Sequence, residues 1–290
     1  ESTPSGFTVQ FNRPLDPSRL NLYGTETGEF GPADVTLVGA TTGPVRGSLV
    51  VDPDSDAITF IRTGGPLPAD TYMLTLRSAE NGFKDTAGGL LDGNADGTGG
   101  DDFVATFTMD PSVARVVSVP DFARGPGQPV NVPAVQMGIP IRLSDGAGVE
   151  RVELTLHFAP EFLTISAVMP GTGIPFGSTL DADLTMPGIV TLDLMAASPL
   201  GAGPLDLVIL EAQVPQTAPY GAAHVLDLTD VALNGSSLQA MADDGLHLVA
   251  YIGDTSGDQE YTEQDAELVL RVDVALDSGF AAYLLIDPLA

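Results

Sequence analysis

Short apolar–polar alternations, broken every few residues by Gly, Pro and Asp, fill the first 250 residues and leave almost no sustained helical period. The opening stretch "GFTVQFNRPLD" sets the pattern: Phe7, Val9 and Phe11 fall on one face, as a half-buried strand requires. "VTLVG", "GSLVVD", "AITFIR", "TYMLTLR" and "FVATFTM" follow, separated by turn-rich stretches such as "RTGGPLPADT". This spacing predicts an antiparallel β-sandwich ending near Met109.

A second run of strands is predicted from "ARVVSVPDF" to about Ala250: "PVNVPAVQ", "GIPIRLSD", "GVERVELTLHF", "FLTISAVM", "GIVTLDLMAAS", "DLVILEAQV", "AHVLDLTDVAL" and "LHLVAYI". Val152, Leu154, Leu156 and Phe158 share a face, and a second sandwich, richer in Ala and Leu, is the natural packing. The predicted fold is therefore mainly β. Two tandem β-sandwiches, over 1–110 and 111–250, are followed by a short calcium-loop-and-helix segment over 251–290.

Charge excludes several functions. Thirty-nine acidic residues face eleven basic ones, and Lys84 is the one lysine, so a net charge of −28 repels nucleic acid. Such a surface fits a salt-adapted protein, or clustered carboxylates partly neutralised by divalent cations. Cysteine is absent, which removes disulfides, zinc–thiolate sites and cysteine nucleophiles and leaves the compartment open. No apolar run is long enough to span a bilayer. Nor does a basic-then-apolar leader open the chain, which reads as a mature or trimmed piece of something longer.

Three stretches of the first segment, "FTVQFNRPLDPSRL", "LPADTYMLTLRS" and "FKDTAGGLLDGNADG…DDFVATF", resemble the bacterial Ig-like domain of surface-layer and large adhesive proteins, over about residues 5–110. The resemblance implies a non-catalytic spacer. Within it, Asp92, Asn94 and Asp96 alternate ahead of Gly97, the D-x-[DN]-x-D-G opening of a calcium loop. Thr98 offers its carbonyl and Asp101 or Asp102 the closing carboxylate. No helix follows, so the expectation is a hairpin-loop calcium site; the competing reading is a metal-free Asx/Gly turn.

The second segment resembles a cohesin domain, the jelly-roll receptor module of cellulosome-type assemblies. The carriers are "GQPVNVPAVQ", "GVERVELTLHFAPEFLTI", "GIVTLDLMAASPLGAGPLDLVILEAQV" and "LTDVALNGSSLQAMADDGLHLV", in order. That family recognises partners through one sheet face, but no recognition residue carries over to this chain.

Enzyme motifs are missing: there is no G-x-S-x-G, H-E-x-x-H, P-loop or strand-following G-x-G-x-x-G. His157, His224 and His247 sit in strand-like runs, where a satisfied or surface residue is the ordinary reading. The pairs Asp181/Asp183 and Asp243/Asp244 are what chance gives in so acidic a chain, and "MADDG" reads as a hairpin turn. The expectation is a protein that is not an enzyme.

The last segment opens with "GDTSGDQEYTEQDAELVLRVD". Counting Asp254 as position 1 of a twelve-residue loop, Ser256 is 3, Asp258 is 5, Glu260 is 7, Thr262 is 9 and Asp265 is 12. These are the positions from which an EF-hand-type loop presents oxygens, Glu260 through its carbonyl and Thr262 through water. The alternative is a capped helix after a polar turn. Thr262 is a natural N-cap, and the helix is expected to turn Ala266, Val269, Leu270 and then Val272 or Asp273 to one apolar face.

Asp at position 12 and a single exiting helix resemble a first dockerin type I repeat, the kind that binds cohesins. Two residues depart from it: Gln259 stands at position 6 where Gly is expected, which strains the turn, and Ser256 stands at position 3. Positions 10 and 11, which dockerins use for recognition, are Glu263 and Gln264 in place of a hydroxyl pair. The tail "VALDSGFAAYLLIDPLA" is too apolar to remain in water. Either a second repeat lies outside this sequence, or the tail packs on the adjoining sandwich or a neighbouring chain.

Two functions fit. One is a calcium-binding (Ca2+), secreted or cell-surface structural and adhesive module. It joins other protein chains, its own copies or other surface and scaffold proteins, through cohesin–dockerin-like contacts, and head-to-tail contacts would extend it into a fibre. The alternative is an accessory carbohydrate-binding or scaffolding part of a secreted polysaccharide-degrading system, against which stand 6% aromatics and no Trp.

Overall fold

The computed structural model describes residues 1–289 except 26, 27, 29, 53, 55, 111–113 and 133–136. The described chain is mainly β and divides into two compact units, residues 112–252 and residues 1–111 together with 253–290. The sequence reading sets 251–290 apart as a third segment. In the structure, residues from 253 on share the first unit with 1–111, because the apolar tail finds its core there.

Among the described residues, eight strands build the first unit: β1 (Ser2–Thr3), β2 (Gly6–Gln10), β3 (Val35–Gly39), β4 (Gly43–Pro44), β5 (Gly47–Val51), β6 (Ala57–Arg62), β7 (Asp70–Leu76) and β8 (Phe103–Met109). They form two antiparallel sheets of order β1-β2-β6-β5 and β4-β3-β7-β8. The alternating apolar positions face inward into one core: Phe7, Leu49, Ile58 and Phe60 from one sheet meet Leu37, Tyr72, Leu74 and Leu76 from the other. Phe7 stacks on Phe60 across β2 and β6, with centroids 5.2 Å apart. Val9 and Phe11 are half-buried against the same core.

The second unit contains β9 (Arg115–Ser118), β10 (Phe122–Ala123), β11 (Ile139–Leu143), β12 (Arg151–His157), β13 (Thr164–Pro170), β14 (Thr179–Asp183), β15 (Ile189–Met195), β16 (Leu205–Gln213), β17 (Ala223–Leu233), β18 (Ala240–Asp243) and β19 (Gly245–Leu248). Its sheets run β10-β19-β17-β12-β15-β14 and β13-β16-β11-β9-β18. Strand β12 is the register reference, pairing antiparallel with β15 on one side and β17 on the other. Its Val152, Leu154 and Leu156 are buried and Phe158 packs beside them. Of the predicted strand "PVNVPAVQ", residues 129–132 form only the bridges Pro129–Gln213 and Asn131–Gly138; 133–136 lie outside the described residues.

One expectation is corrected here, and one strand is added to those read from the sequence. "MADDG" is not a hairpin turn: β18 pairs parallel with β9 in one sheet, β19 joins β17 in the other, and the chain changes sheet at Asp244. Asp244 Oδ1 accepts the Leu228 N–H at 2.9 Å, which holds that corner. The stretch holding Asp181 and Asp183 is itself a strand, β14, at the sheet edge beside β15. Its alternation of acidic and apolar residues fits an edge with one wet face.

After Ile252 come the loop 254–262, the helix α1 (Glu263–Asp273) and a 3-10 turn, Ala281–Tyr283.

Candidate metal centre

The sequence from Asp254 to Asp265 folds into a closed loop because its carboxylates cap the loop's own backbone. Asp254, almost fully buried, accepts the Gly257 N–H at Oδ1 and the Gln259 N–H at Oδ2, each at 2.8 Å. Asp258 is exposed and accepts the Glu260 N–H at 2.8 Å. Asp265 closes the loop from the first turn of α1: Oδ1 accepts the Ser256 N–H at 2.9 Å, and Oδ2 accepts the Thr262 N–H at 2.7 Å and its hydroxyl at 3.0 Å. The Asp265–Thr262 contact is the carboxylate half of a capping box, which satisfies an N–H ahead of the helix. The hydroxyl of Thr255 donates to the Asp265 carbonyl.

One carboxylate oxygen each from Asp254, Asp258 and Asp265 lies within 4.8 Å of the others. Among the described residues this is the one group of three or more acidic, His or Cys side chains so gathered. Burial alone would raise the Asp265 carboxyl, yet the donors from Thr262 and Ser256 bring it well below the usual carboxylate range. The chemistry of the donor set, three carboxylates at loop positions 1, 5 and 12, fits a hard cation that takes oxygen ligands.

The other predicted donors are placed unequally. Ser256 Oγ lies 3.4 Å from Asp254 Oδ1, beside the cluster. Thr262 gives its hydroxyl to Asp265, and Glu260 is exposed. Gln259 has φ +69°, the left-handed conformation that position 6 demands and that a side chain adopts only under strain.

Helix α1 turns a different face inward from the one expected. Its buried residues are Asp265 and Leu268, whereas Val269 and Leu270 are 46% and 61% exposed. The cause is the loop: once the Asp265 carboxylate must point at three loop donors, Leu268, three residues on, is the side chain carried into the unit.

The loop at 92–102 is more open. Asp92 accepts the Asp96 and Gly97 N–H groups, and Asp96 accepts that of Thr98. The Asn94 amide bridges Asp96 at 3.4 Å and Asp101 at 3.2 Å, and Asp102 turns away to accept the Ser78 N–H. These residues form an Asx-rich turn whose carboxylates find donors within the protein.

On the second unit, Asp181, Asp193 and Glu153 lie in one cross-strand row, and Asp183 lines the same shallow depression of about 370 Å3. Arg151 gathers two of them, reaching Asp193 at 2.7 and 2.9 Å and Glu153 at 2.9 Å. His157 pairs with the Thr229 hydroxyl, and His224 pairs with His247 in the interior.

Sequence reasoning gave no role to Arg46 and Asp287, which close the first unit over the tail. Asp287 is buried, and the Arg46 guanidinium reaches it at 2.8 Å while lying 4.6 Å over the Tyr23 ring. Its one signal was a carboxylate inside the apolar run "LLIDPLA".

No protein-family model matches the chain, and no curated protein matches it. Among solved structures it is similar to cohesins. A non-cellulosomal cohesin from the archaeon Archaeoglobus fulgidus is 14% identical over 47% of this chain and 90% of that one, with a TM-score of 0.39. The solution structure of CaCohA2 from Clostridium acetobutylicum is 17% identical over 47% and 90%, TM-score 0.40. The Coh-OlpC-Doc435 complex, a type I cohesin–dockerin complex from Clostridium thermocellum, gives 13% over 49% and 96%, TM-score 0.39.

Proposed function

We propose that this chain is a non-catalytic, calcium-binding structural module of a secreted or cell-surface protein that engages other protein chains. The observation that carries the reading is the convergence of Asp254, Asp258 and Asp265 at loop positions 1, 5 and 12, ahead of a helix. Calcium would be held by these three carboxylates, with Ser256 and the Glu260 carbonyl as neighbouring oxygens, and would neutralise charge that the loop otherwise confines. The loop at 92–102 is a second, weaker candidate, through Asp92, Asp96 and Asp101.

Sequence resemblance supports the rest: an Ig-like first sandwich, a cohesin-like second one and a dockerin-like loop and helix. Val269, Leu270, Val274 and Leu276 are exposed apolar residues on or just after α1, which suits this stretch to contact with another chain. A head-to-tail contact between copies would then give an open fibre.

Calorimetric titration with calcium, with melting curves in calcium and in EDTA, tests the metal. Binding and a higher melting temperature with calcium are expected, and the absence of both rejects the reading. Light scattering behind size exclusion tests assembly; a strict monomer with and without EDTA rules out the fibre.

A further inference from the structure

The candidate metal loop touches the tail, and the tail covers a sheet edge. Gly257 has φ +76°, and a Cβ built on it would meet the Ala282 Cβ at 2.9 Å and the Tyr283 hydroxyl at 3.7 Å. From this turn the chain crosses the first sandwich. The Leu284 carbonyl accepts the Leu22 N–H at 3.0 Å, and the Leu285 carbonyl accepts the Leu49 N–H at 2.8 Å. The Asp287 N–H donates to Ser48 Oγ, while its carboxylate takes Arg46. Upstream, Ser278 is fastened to Gly24 by its N–H and receives the Gly24 N–H at its hydroxyl.

Leu49 lies in β5, the end strand of the order β1-β2-β6-β5. Because its N–H goes to the tail, the tail occupies the side of β5 that has no neighbouring strand. An uncovered edge of this kind is a template for pairing with another chain.

We infer that residues 278–287 form a calcium-set latch: the cation held at Asp254, Asp258 and Asp265 fixes the loop against Ala282 and Tyr283, which keeps the tail on the β5 edge, and removing the cation frees that edge. The inference rests on the calcium reading above. With no cation, three carboxylates whose oxygens lie within 4.8 Å repel one another, which raises the share of an opened loop although the backbone donors still hold the closed one. Gly257 is where that opening meets the tail. A ligand that binds only the closed form shifts the equilibrium about a hundredfold when it stands at a hundred times its Kd.

The test follows amide exchange at Leu22 and Leu49 in the full chain, in calcium and in EGTA, with calorimetry alongside. Calcium should slow exchange at both amides by about tenfold or more. Asp258→Asn should abolish the response. Asp287→Asn should still bind calcium by calorimetry but leave Leu49 fast. Calcium binding in the wild type with no change at Leu22 and Leu49 overturns the latch and leaves the metal site standing; no binding overturns both. Full protection of Leu49 in Asp287→Asn also overturns the latch.

Discussion

His224 Nε2 lies 2.9 Å from His247 Nδ1 inside the second unit, and the pair forms a one-way hydrogen-bond chain between two backbone groups. The Ala159 N–H can only donate, so His224 Nδ1 must accept and carry its proton on Nε2. That proton goes to His247 Nδ1, which leaves the His247 proton on Nε2, facing the Arg124 carbonyl at 3.3 Å. Phe122 and Phe162 pack against the two rings. Both imidazoles are neutral, and a proton added to either Nδ1 would oppose another N–H.

Burial pushes His224 down to about 3, with the neighbouring His247 adding to it, and pushes His247 down to about 4. The sign follows from linkage. Between the ordinary histidine value and these depressed ones the unfolded chain binds more protons, so the second unit loses stability as pH falls from about 6.5 towards 3. In an NMR titration the ring resonances of His224 and His247 should stay unshifted down to pH 5; a midpoint near 6.5 for either contradicts the buried chain.

Leu156 and Leu270 form a contrasting pair. Leu156 is fully buried in β12 between β15 and β17, so Leu156→Ala should cost about 2–5 kcal/mol in denaturant unfolding. Leu270 is 61% exposed, and Leu270→Ala should stay within about 0.5 kcal/mol. If Leu270→Ala proves as costly as Leu156→Ala, α1 has the wrong face outward.

Asp265 and Asp258 separate folding from metal binding. In EDTA, Asp265→Ala removes the acceptor of three loop donors and should destabilise the first unit by about 1–3 kcal/mol. Asp258→Asn, exposed and accepting one N–H, should melt like wild type in EDTA yet lose the calcium-induced rise. Melting curves of both, with and without calcium, distinguish the roles.

Gln259→Gly relieves the left-handed strain at loop position 6 while keeping the N–H that Asp254 accepts. The expected gain is about 1 kcal/mol in stability, together with tighter calcium binding by calorimetry. A loss of stability would mean that the Gln259 side chain contributes more than its backbone costs.

Much of this fold was legible because a strand writes its buried face into every second residue. Phe7, Val9 and Phe11, and Val152, Leu154 and Leu156, turn the side that alternation assigns them. The spacing from Asp254 to Asp265 likewise placed three carboxylates where the loop gathers them, since a twelve-residue loop fixes its own geometry locally. The sheet change at Asp244 and the edge strand at Asp181 were not legible. The first depends on a distant strand, β9, that receives β18; the second is the short hairpin partner of β15, and its alternation carries only Leu180 and Ala182 as apolar residues.

The sequence by itself determined the β character, the acidic surface, the position of helix α1 and the local closure of its loop, because these follow from periodicity, charge and spacing within a few residues. Only the tertiary structure decided where the tail goes and which helix face turns inward. Leu284, Leu285 and Asp287 meet Leu22, Leu49 and Arg46 across more than 230 residues of chain, and the Asp265 carboxylate outweighs the helix's own apolar stripe. Burial of a docked segment depends on the surface that receives it, and no local pattern encodes that surface.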